Sequence, residues 1–178
     1  DFLDKFAANN IMFYNPDECE GGSSGGVVGG EAVISGSTAE EKVWSGLKSM
    51  GLTDEVTAGI MGNMAHEGNN FNPAQHEGSF KSQWGMALNS NPDISYGIGL
   101  IQWSFGRRVN VYNYIKDKAP GLTKYLDTPM TYSYANGSAY GVNGDKFIQL
   151  ANNESEVNAL YSLELTFLVN EELKVNST

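Results

Sequence analysis

Apolar residues recur at helical spacing from about residue 38 onward, and the first such stretch also carries the signals of a helix start. Thr38-Ala-Glu-Glu41 is a capping box, in which the Thr38 hydroxyl accepts from a first-turn amide and the Glu41 carboxylate reaches back. Gly51 is a plausible C-terminal stop. The apolar positions between these signals share one helix face: Val43, Trp44, Leu47 and Met50.

Three further helices follow from the same periodicity. One begins at Thr53-Asp54-Glu55 and ends at Glu67, another covers Arg107 to Lys118, and the last and strongest covers Glu154 to Lys174. Tyr96 to Trp103 has the form of a short hairpin arm. We therefore predict a mostly α, helical domain with at most a small β-hairpin.

Two regions lack this periodicity. The stretch from about Gly68 to Gly106 is rich in glycine and asparagine and is predicted to be an excursion that holds most of the candidate site. Residues 1–37 contain the run Gly21 to Gly30, which is either a flexible linker or a loop packed on the domain; its glycines favour the linker. We expect residues 1–37 to be an N-terminal segment with its linker, residues 38–178 to be the folded domain, and the chain to be one module of a larger or tethered protein.

The composition of the chain excludes several classes of binding partner. The chain has 21 acidic and 11 basic residues and a formal net charge of -10, which argues against nucleic acid and against an anionic membrane surface. No apolar run is long enough to span a bilayer, so we expect no membrane insertion by this segment. Cys19 is the only cysteine, which excludes an internal disulfide and a cysteine metal cluster.

Glu67 is the first candidate for chemistry, since it lies where a helix breaks into Gly-Asn-Asn. A carboxyl group held against apolar surface has a raised pKa and can act as a general acid, for instance on a sugar polymer. The alternatives are a solvated glutamate or one paired with Arg107 or Arg108.

Gln102, in the glycine-rich turn, can both donate to and accept from the N-acetyl or hydroxyl groups of a sugar.

Aromatic and basic residues near the turn have two interpretations each. The aromatic residues either stack on pyranose rings or belong to ordinary packing: Tyr96, Trp103, Tyr132, Tyr134 and Tyr140. Arg107 and Arg108 either clamp a carboxylate of the substrate or pair with a neighbouring acidic residue.

Metal and cofactor chemistry is not supported. The pairs His66-Glu67 and His76-Glu77 resemble part of a zinc-peptidase motif, but the position one turn after His66 is Asn70. Gly97-Ile-Gly99 has none of the context of a nucleotide-binding loop. We expect no metal and no cofactor.

Two segments resemble the phage tail lysozyme family, a branch of the lysozyme-like superfamily that includes goose-type lysozymes and soluble lytic transglycosylases. They are Gly62 to Pro73 (Gly-Asn-Met-Ala-His-Glu-Gly-Asn-Asn-Phe-Asn-Pro) and Tyr96 to Trp103 (Tyr-Gly-Ile-Gly-Leu-Ile-Gln-Trp), followed by Gly106-Arg107. Leu163 to Leu173 resembles the C-terminal helix of the family. The chain departs from the motifs in having Gly68 where the family has serine, in one extra residue before Phe71, and in the excursion from His76 to Asp93.

This resemblance implies a lysozyme-like helical domain and a peptidoglycan-degrading glycosidase that cuts between N-acetylmuramic acid and N-acetylglucosamine. Glu67 would be the catalytic acid, and Gln102 and Trp103 would line the glycan groove. Inverting hydrolysis needs a second carboxylate about 6.5–9.5 Å away, for which Glu77 and Asp93 are the candidates. Without one, the muramic acid 6-hydroxyl attacks and the enzyme is a lytic transglycosylase in which Glu67 is both acid and base.

A non-catalytic cell-wall-binding or tail-structural module is the alternative outside enzymes. The strong negative charge favours this alternative, because many wall-degrading proteins are basic and match anionic wall polymers. In each case peptidoglycan glycan strands are the expected partner. The expected location is extracellular or at the cell envelope, in an exported or virion-associated protein.

Overall fold

The computed structural model describes residues 30–67, 71–77, 89–127, 133–135, 138–140 and 153–173. The α-helices bounded within these residues are α1 (Ala39–Ser49), α2 (Asp54–Glu67), α3 (Phe105–Lys118) and α4 (Glu154–Phe167). A 3-10 helix, Pro120–Tyr125, follows α3, and a π-helical turn, Leu168–Glu172, continues α4. The prediction of a mostly α domain is confirmed; α3 begins two residues earlier than expected.

The start of α1 is the predicted capping box. The Thr38 hydroxyl accepts from the Glu41 amide at 3.2 Å, and Oε2 of Glu41 accepts from the Thr38 amide at 3.2 Å. These bonds satisfy backbone amides that have no partner within the first turn.

Helix α4 is the centre of the packing, since it contacts both α1 and α3, while α1 also contacts α2. The predicted apolar stripe of α4 and the π-helical turn that continues it is buried: Val157, Leu160, Tyr161, Leu165 and Leu168. The opposing helices contribute Val43 and Leu47 from α1, Ile60 and Met64 from α2, and Val111 and Ile115 from α3. None of the described helices has the length and apolar character needed to cross a bilayer.

An extended segment before α1 is bound to two helices. The Ala32 amide donates to the Thr166 hydroxyl at 2.9 Å, and the Ser162 hydroxyl donates to the Ala32 carbonyl at 2.6 Å. Farther along, the Ser35 amide donates to the Ser45 hydroxyl at 2.9 Å. Residues 1–29 lie outside the described residues, so the predicted division of the chain at residue 37 stays a prediction.

Within the part of the chain that the structure describes, the strands are short, as expected. Strands β1 (Ser133–Ala135) and β2 (Ser138–Tyr140) form an antiparallel pair, in a segment whose sequence is rich in turn residues. The predicted hairpin arm from Tyr96 to Trp103 contains an isolated antiparallel bridge between Ile98 and Trp103.

Candidate active site

Glu67 is the last residue of α2, which agrees with its predicted place at a helix end. The helix is fixed by Ile60 and Met64, both of which are fully buried. The side chain of Glu67 and residues 68–70 lie outside what the structure describes. The catalytic role of Glu67 therefore stays a prediction.

The segment 71–77, which follows Glu67, is anchored in the core. The Tyr161 hydroxyl on α4 donates to the Phe71 carbonyl at 2.8 Å, and the Asn72 side chain accepts from the Ala74 amide at 2.9 Å. Phe71 has a φ of 54°, in the left-handed region that few non-glycine residues adopt. These contacts fix the position of residues 71–77 against the core.

The turn from Gly97 to Trp103 is closed by its own backbone. Ile98 and Trp103 exchange two hydrogen bonds of 3.0 and 2.9 Å. Within the turn, both the amide and the side-chain Nε2 of Gln102 donate to the Gly99 carbonyl, at 3.2 and 3.0 Å. The Gln102 side chain, half-buried and tied back in this way, has a restricted orientation.

The segment 71–77 and the turn lie side by side. The Gly99 amide donates to the Gln75 carbonyl at 2.8 Å, and the Glu77 amide donates to the Gly97 carbonyl at 2.9 Å. The segment that contains the end of the first motif is thus joined to the second motif by backbone hydrogen bonds, although 19 residues separate the two segments in the chain.

The two candidates for a second carboxylate have different surroundings. Glu77 is half-buried, and its Oε2 accepts from the Gly97 amide at 3.0 Å, so it lies directly against the turn. Asp93 is exposed in the loop before Tyr96, where its amide donates to the Asn91 side chain at 2.9 Å. Of the two, Glu77 is the one that the structure brings to the turn.

Tyr96 and Trp103 are buried, with exposures of 1% and 0%, so that of their two interpretations ordinary packing is the one observed. The Trp103 ring meets Phe167 edge-on at 6.0 Å. The Tyr96 ring packs against His76 at 5.6 Å and lies under the Arg108 guanidinium at 5.4 Å. Neither ring has a face open to a ligand, because the turn folds both of them into the core.

Two tyrosines of the predicted binding set are not characterised by the structure. Tyr132 lies outside the described residues, and Tyr134 lies in β1, with its side chain outside what is described. Their proposed contact with the glycan stays a prediction.

Arg107 is a structural ion-pair residue. Its Nε and Nη2 donate to the two carboxylate oxygens of Glu172 at 2.9 and 2.8 Å, and the Trp103 indole donates to the same carboxylate at 3.0 Å. Of the two interpretations of this arginine, pairing with a neighbouring acidic residue is the one observed. The pair ties the turn and α3 to the end of the π-helical turn that continues α4.

Arg108 also has a structural role. It is fully buried, and its guanidinium donates to the carbonyl groups of Asn91, Ile94 and Tyr96. Burial lowers the pKa of Arg108 from its usual value. Because these three carbonyl groups accept from one guanidinium, the Arg108 side chain holds residues 91–96, which lead into the turn.

Glu164 was not singled out by the sequence. This residue of α4 is 1% exposed, and its Oε2 accepts from the Leu100 amide at 2.9 Å. Burial raises the pKa of the Glu164 carboxyl well above its usual value. The one signal in the sequence is an acidic residue between the apolar positions Leu163 and Leu165 of a buried helix.

His76 is a second buried ionisable residue that the sequence did not explain. Its Nε2 lies 3.2 Å from the Tyr125 carbonyl oxygen, and burial lowers the pKa of the imidazole to about 4. The neutral ring therefore donates from Nε2. Among the described residues, no group of His, Cys, Asp and Glu is arranged to hold a metal ion.

Comparison with known proteins identifies one family. A family model described as phage tail lysozyme matches residues 38–163, which is more than half of the chain and includes both motif segments. No curated protein and no solved structure gives a significant match.

Proposed function

Because the chain belongs to the phage tail lysozyme family, we propose that it hydrolyses the glycan strands of peptidoglycan with Glu67 as the general acid. Membership of the family indicates a peptidoglycan-degrading, lysozyme-like activity and a virion-associated or wall-acting protein. The finer proposal is that the cleaved bond joins N-acetylmuramic acid to N-acetylglucosamine.

The proposal rests chiefly on one arrangement within the family match. The segment that follows Glu67 is bonded to the Gln102 turn through the pairs Gly99–Gln75 and Glu77–Gly97. These bonds hold the turn that carries Gln102 against the segment that comes after α2, whose last residue is the proposed acid. Such pre-organisation is what orienting a bound substrate requires.

In the proposed reaction, the Glu67 carboxyl protonates the glycosidic oxygen as the bond to the leaving sugar breaks. The Gln102 carboxamide binds an N-acetyl or hydroxyl group and orients the sugar. Glu77 is the proposed base that activates water on the opposite face of the ring, in preference to Asp93. Its half-buried contact with Gly97 supports this choice.

Digestion of purified peptidoglycan sacculi tests the proposal. We expect the unmodified protein to clear the suspension and Glu67→Gln to be slower by a factor of about 100 or more. Glu77→Gln should also be slow, while Asp93→Asn, its matched control at the other candidate, should retain activity. Thermal unfolding of each variant shows whether it is folded.

The fragments released from the sacculi show which type of cleavage takes place. Reducing ends, detected by mass spectrometry, are expected from hydrolysis, whereas 1,6-anhydro ends would assign the protein as a lytic transglycosylase. If the unmodified protein and Glu67→Gln release nothing yet both sediment with the sacculi, the chain is a wall-binding or tail-structural module and the proposal is wrong.

A further inference from the structure

Phe105 is an exposed aromatic residue beside the turn. It is the first residue of α3, its side chain is 52% exposed, and its amide donates to the Ile94 carbonyl at 3.1 Å. Tyr96 and Trp103, the aromatic residues expected to meet the glycan, are buried. Phe105 therefore offers an aromatic face to solvent at this turn where those two residues do not.

Backbone conformation does not account for phenylalanine at this position. Phe105 has a φ of 52°, close to the 54° of Gln102 three residues earlier. This left-handed region disfavours bulky side chains and is better suited to glycine or asparagine. A phenylalanine here carries a conformational cost and leaves half of its side chain in water, so neither local geometry nor burial explains it.

The surrounding contacts hold Phe105 in a fixed relation to Gln102. Trp103, between them, is bonded to Glu172, and Arg107, two residues after Phe105, is bonded to the same carboxylate. The chain length limits the separation of the Phe105 and Gln102 Cα atoms to about 11 Å. The exposed ring and the amide are therefore close enough along the chain to contact neighbouring units of one glycan strand.

We propose that Phe105 is a carbohydrate-contacting residue whose ring packs against the apolar C–H face of an N-acetylhexosamine next to the unit bound by Gln102. This assignment rests on the proposed function, because it takes the glycan strand as the ligand. An aromatic face suits the C–H groups of a sugar, and a half-buried amide suits its polar substituents. The net charge of -10 favours a neutral sugar unit over an anionic ligand.

Binding is measured in the Glu67→Gln background, with purified sacculi by co-sedimentation and with the soluble N-acetylglucosamine tetramer by calorimetry. We expect Phe105→Ala to weaken binding by about 3- to 10-fold and Phe105→Tyr, which keeps the ring, to bind like the parent. Trp44→Ala is the matched control, because Trp44 is a 38% exposed aromatic residue on α1. Unchanged binding by Phe105→Ala, or an equal loss in Trp44→Ala, would overturn the proposal.

A second variant separates recognition from folding. Asparagine tolerates a positive φ, so Phe105→Asn should be at least as resistant to thermal unfolding as the parent while it binds as weakly as Phe105→Ala. Weak binding that appears only in variants with lowered thermal stability would refute a direct contact. Cleavage of sacculi by the protein with Glu67 intact is measured separately. If the protein cleaves sacculi but Phe105→Ala binds like the parent, this proposal alone is wrong. If Phe105→Ala weakens binding but the protein does not cleave sacculi, the proposed hydrolysis alone is wrong.

Discussion

The buried carboxyl group of Glu164 on α4 accepts a hydrogen bond of 2.9 Å from the backbone amide of Leu100 in the turn. Glu164 is separated from Leu100 by 64 positions in the sequence, so only the packing of α4 beneath the turn brings them together. The side chain is almost completely buried, and its pKa is raised by that burial. The turn that carries Gln102 therefore rests on a carboxyl group that favours its protonated form.

Replacing Glu164 with glutamine should remove the decrease in stability that this side chain causes as the pH rises. At pH values below about 4.5, the ordinary pKa of the side chain, Glu164 is protonated in both the folded and the unfolded protein. Above that value the unfolded state loses the proton first, so the stability falls as the pH rises toward the raised folded pKa. Thermal unfolding should show Glu164→Gln equal to the parent near pH 4 and more stable at pH 7.

Glu164→Ala is the contrasting variant. It removes the acceptor of the Leu100 amide and leaves a cavity, so we expect a loss of about 2–4 kcal/mol near pH 4. The loss should be smaller at pH 7, because ionisation in the unfolded state already lowers the stability of the parent there. A glutamine variant with the same pH profile as the parent would show that Glu164 does not change its protonation between the two states.

A methyl group at Gly99 should disrupt the turn. A Cβ built there lies 2.8 Å from the Glu164 Oε2 and 2.9 Å from the Trp103 ring, and the φ of 75° is itself unfavourable for alanine. We expect Gly99→Ala to lower the free energy of unfolding by about 2 kcal/mol or more, measured by urea denaturation.

Gly106 on α3 is the matched control, since a Cβ there meets no atom within 4 Å apart from its chain neighbours and the backbone of its own helix. Gly106→Ala should be neutral or stabilising by up to about 1 kcal/mol, because alanine favours the helix. Similar losses in both alanine variants would mean that the crowding at Gly99 is not the cause.

Truncating Glu172 should cost more than removing an ordinary surface charge. Its carboxylate accepts from the Arg107 guanidinium and from the buried Trp103 indole. Glu172→Ala leaves both donors without this acceptor, and we expect a loss of about 2–4 kcal/mol in urea denaturation. Glu172→Gln, which keeps an acceptor oxygen, should lose less.

Glu31 provides the control for Glu172. It pairs with Lys118 at 3.9 Å, and both side chains are largely exposed. Glu31→Ala should change the free energy of unfolding by no more than about 0.5 kcal/mol. Equal effects of the two truncations would rule out a special role for the Glu172 cluster.

His76 should make the protein less stable in acid. Its folded pKa of about 4 lies below the ordinary 6.5, so its neutral form stabilises the fold fully above pH 6.5. This contribution, on the order of 3 kcal/mol, is lost as the pH falls from 6.5 toward 4, because the unfolded state binds the proton first.

The comparison of His76→Gln with the parent between pH 7 and pH 4 measures this effect. The amide of glutamine can still donate to the Tyr125 carbonyl but does not titrate, so the variant should lose less stability toward pH 4. Glu164 acts in the opposite direction over part of this range and is present in both proteins, so it cancels from the difference. Identical acid profiles would contradict the assignment.

Much of the helical framework follows from the sequence because its signals are local. The Thr38 capping box, the end of α2 at Glu67 and the buried stripe of α4 depend on residues within one or two turns of each other. The side chains around Gln102 were less predictable. Tyr96 and Trp103 have the composition of a sugar-binding surface, but they are buried because α4 and Arg108 cover them.

The sequence by itself determined the helices, the family motifs and Glu67 as the candidate acid, since these depend on periodicity, capping and local order along the chain. Only the tertiary structure decided that Arg107 pairs with Glu172, that Glu164 lies under the turn and that Phe105 stays exposed. The physical reason is that burial and pairing depend on which distant segment covers a side chain, and residue type alone does not specify that segment.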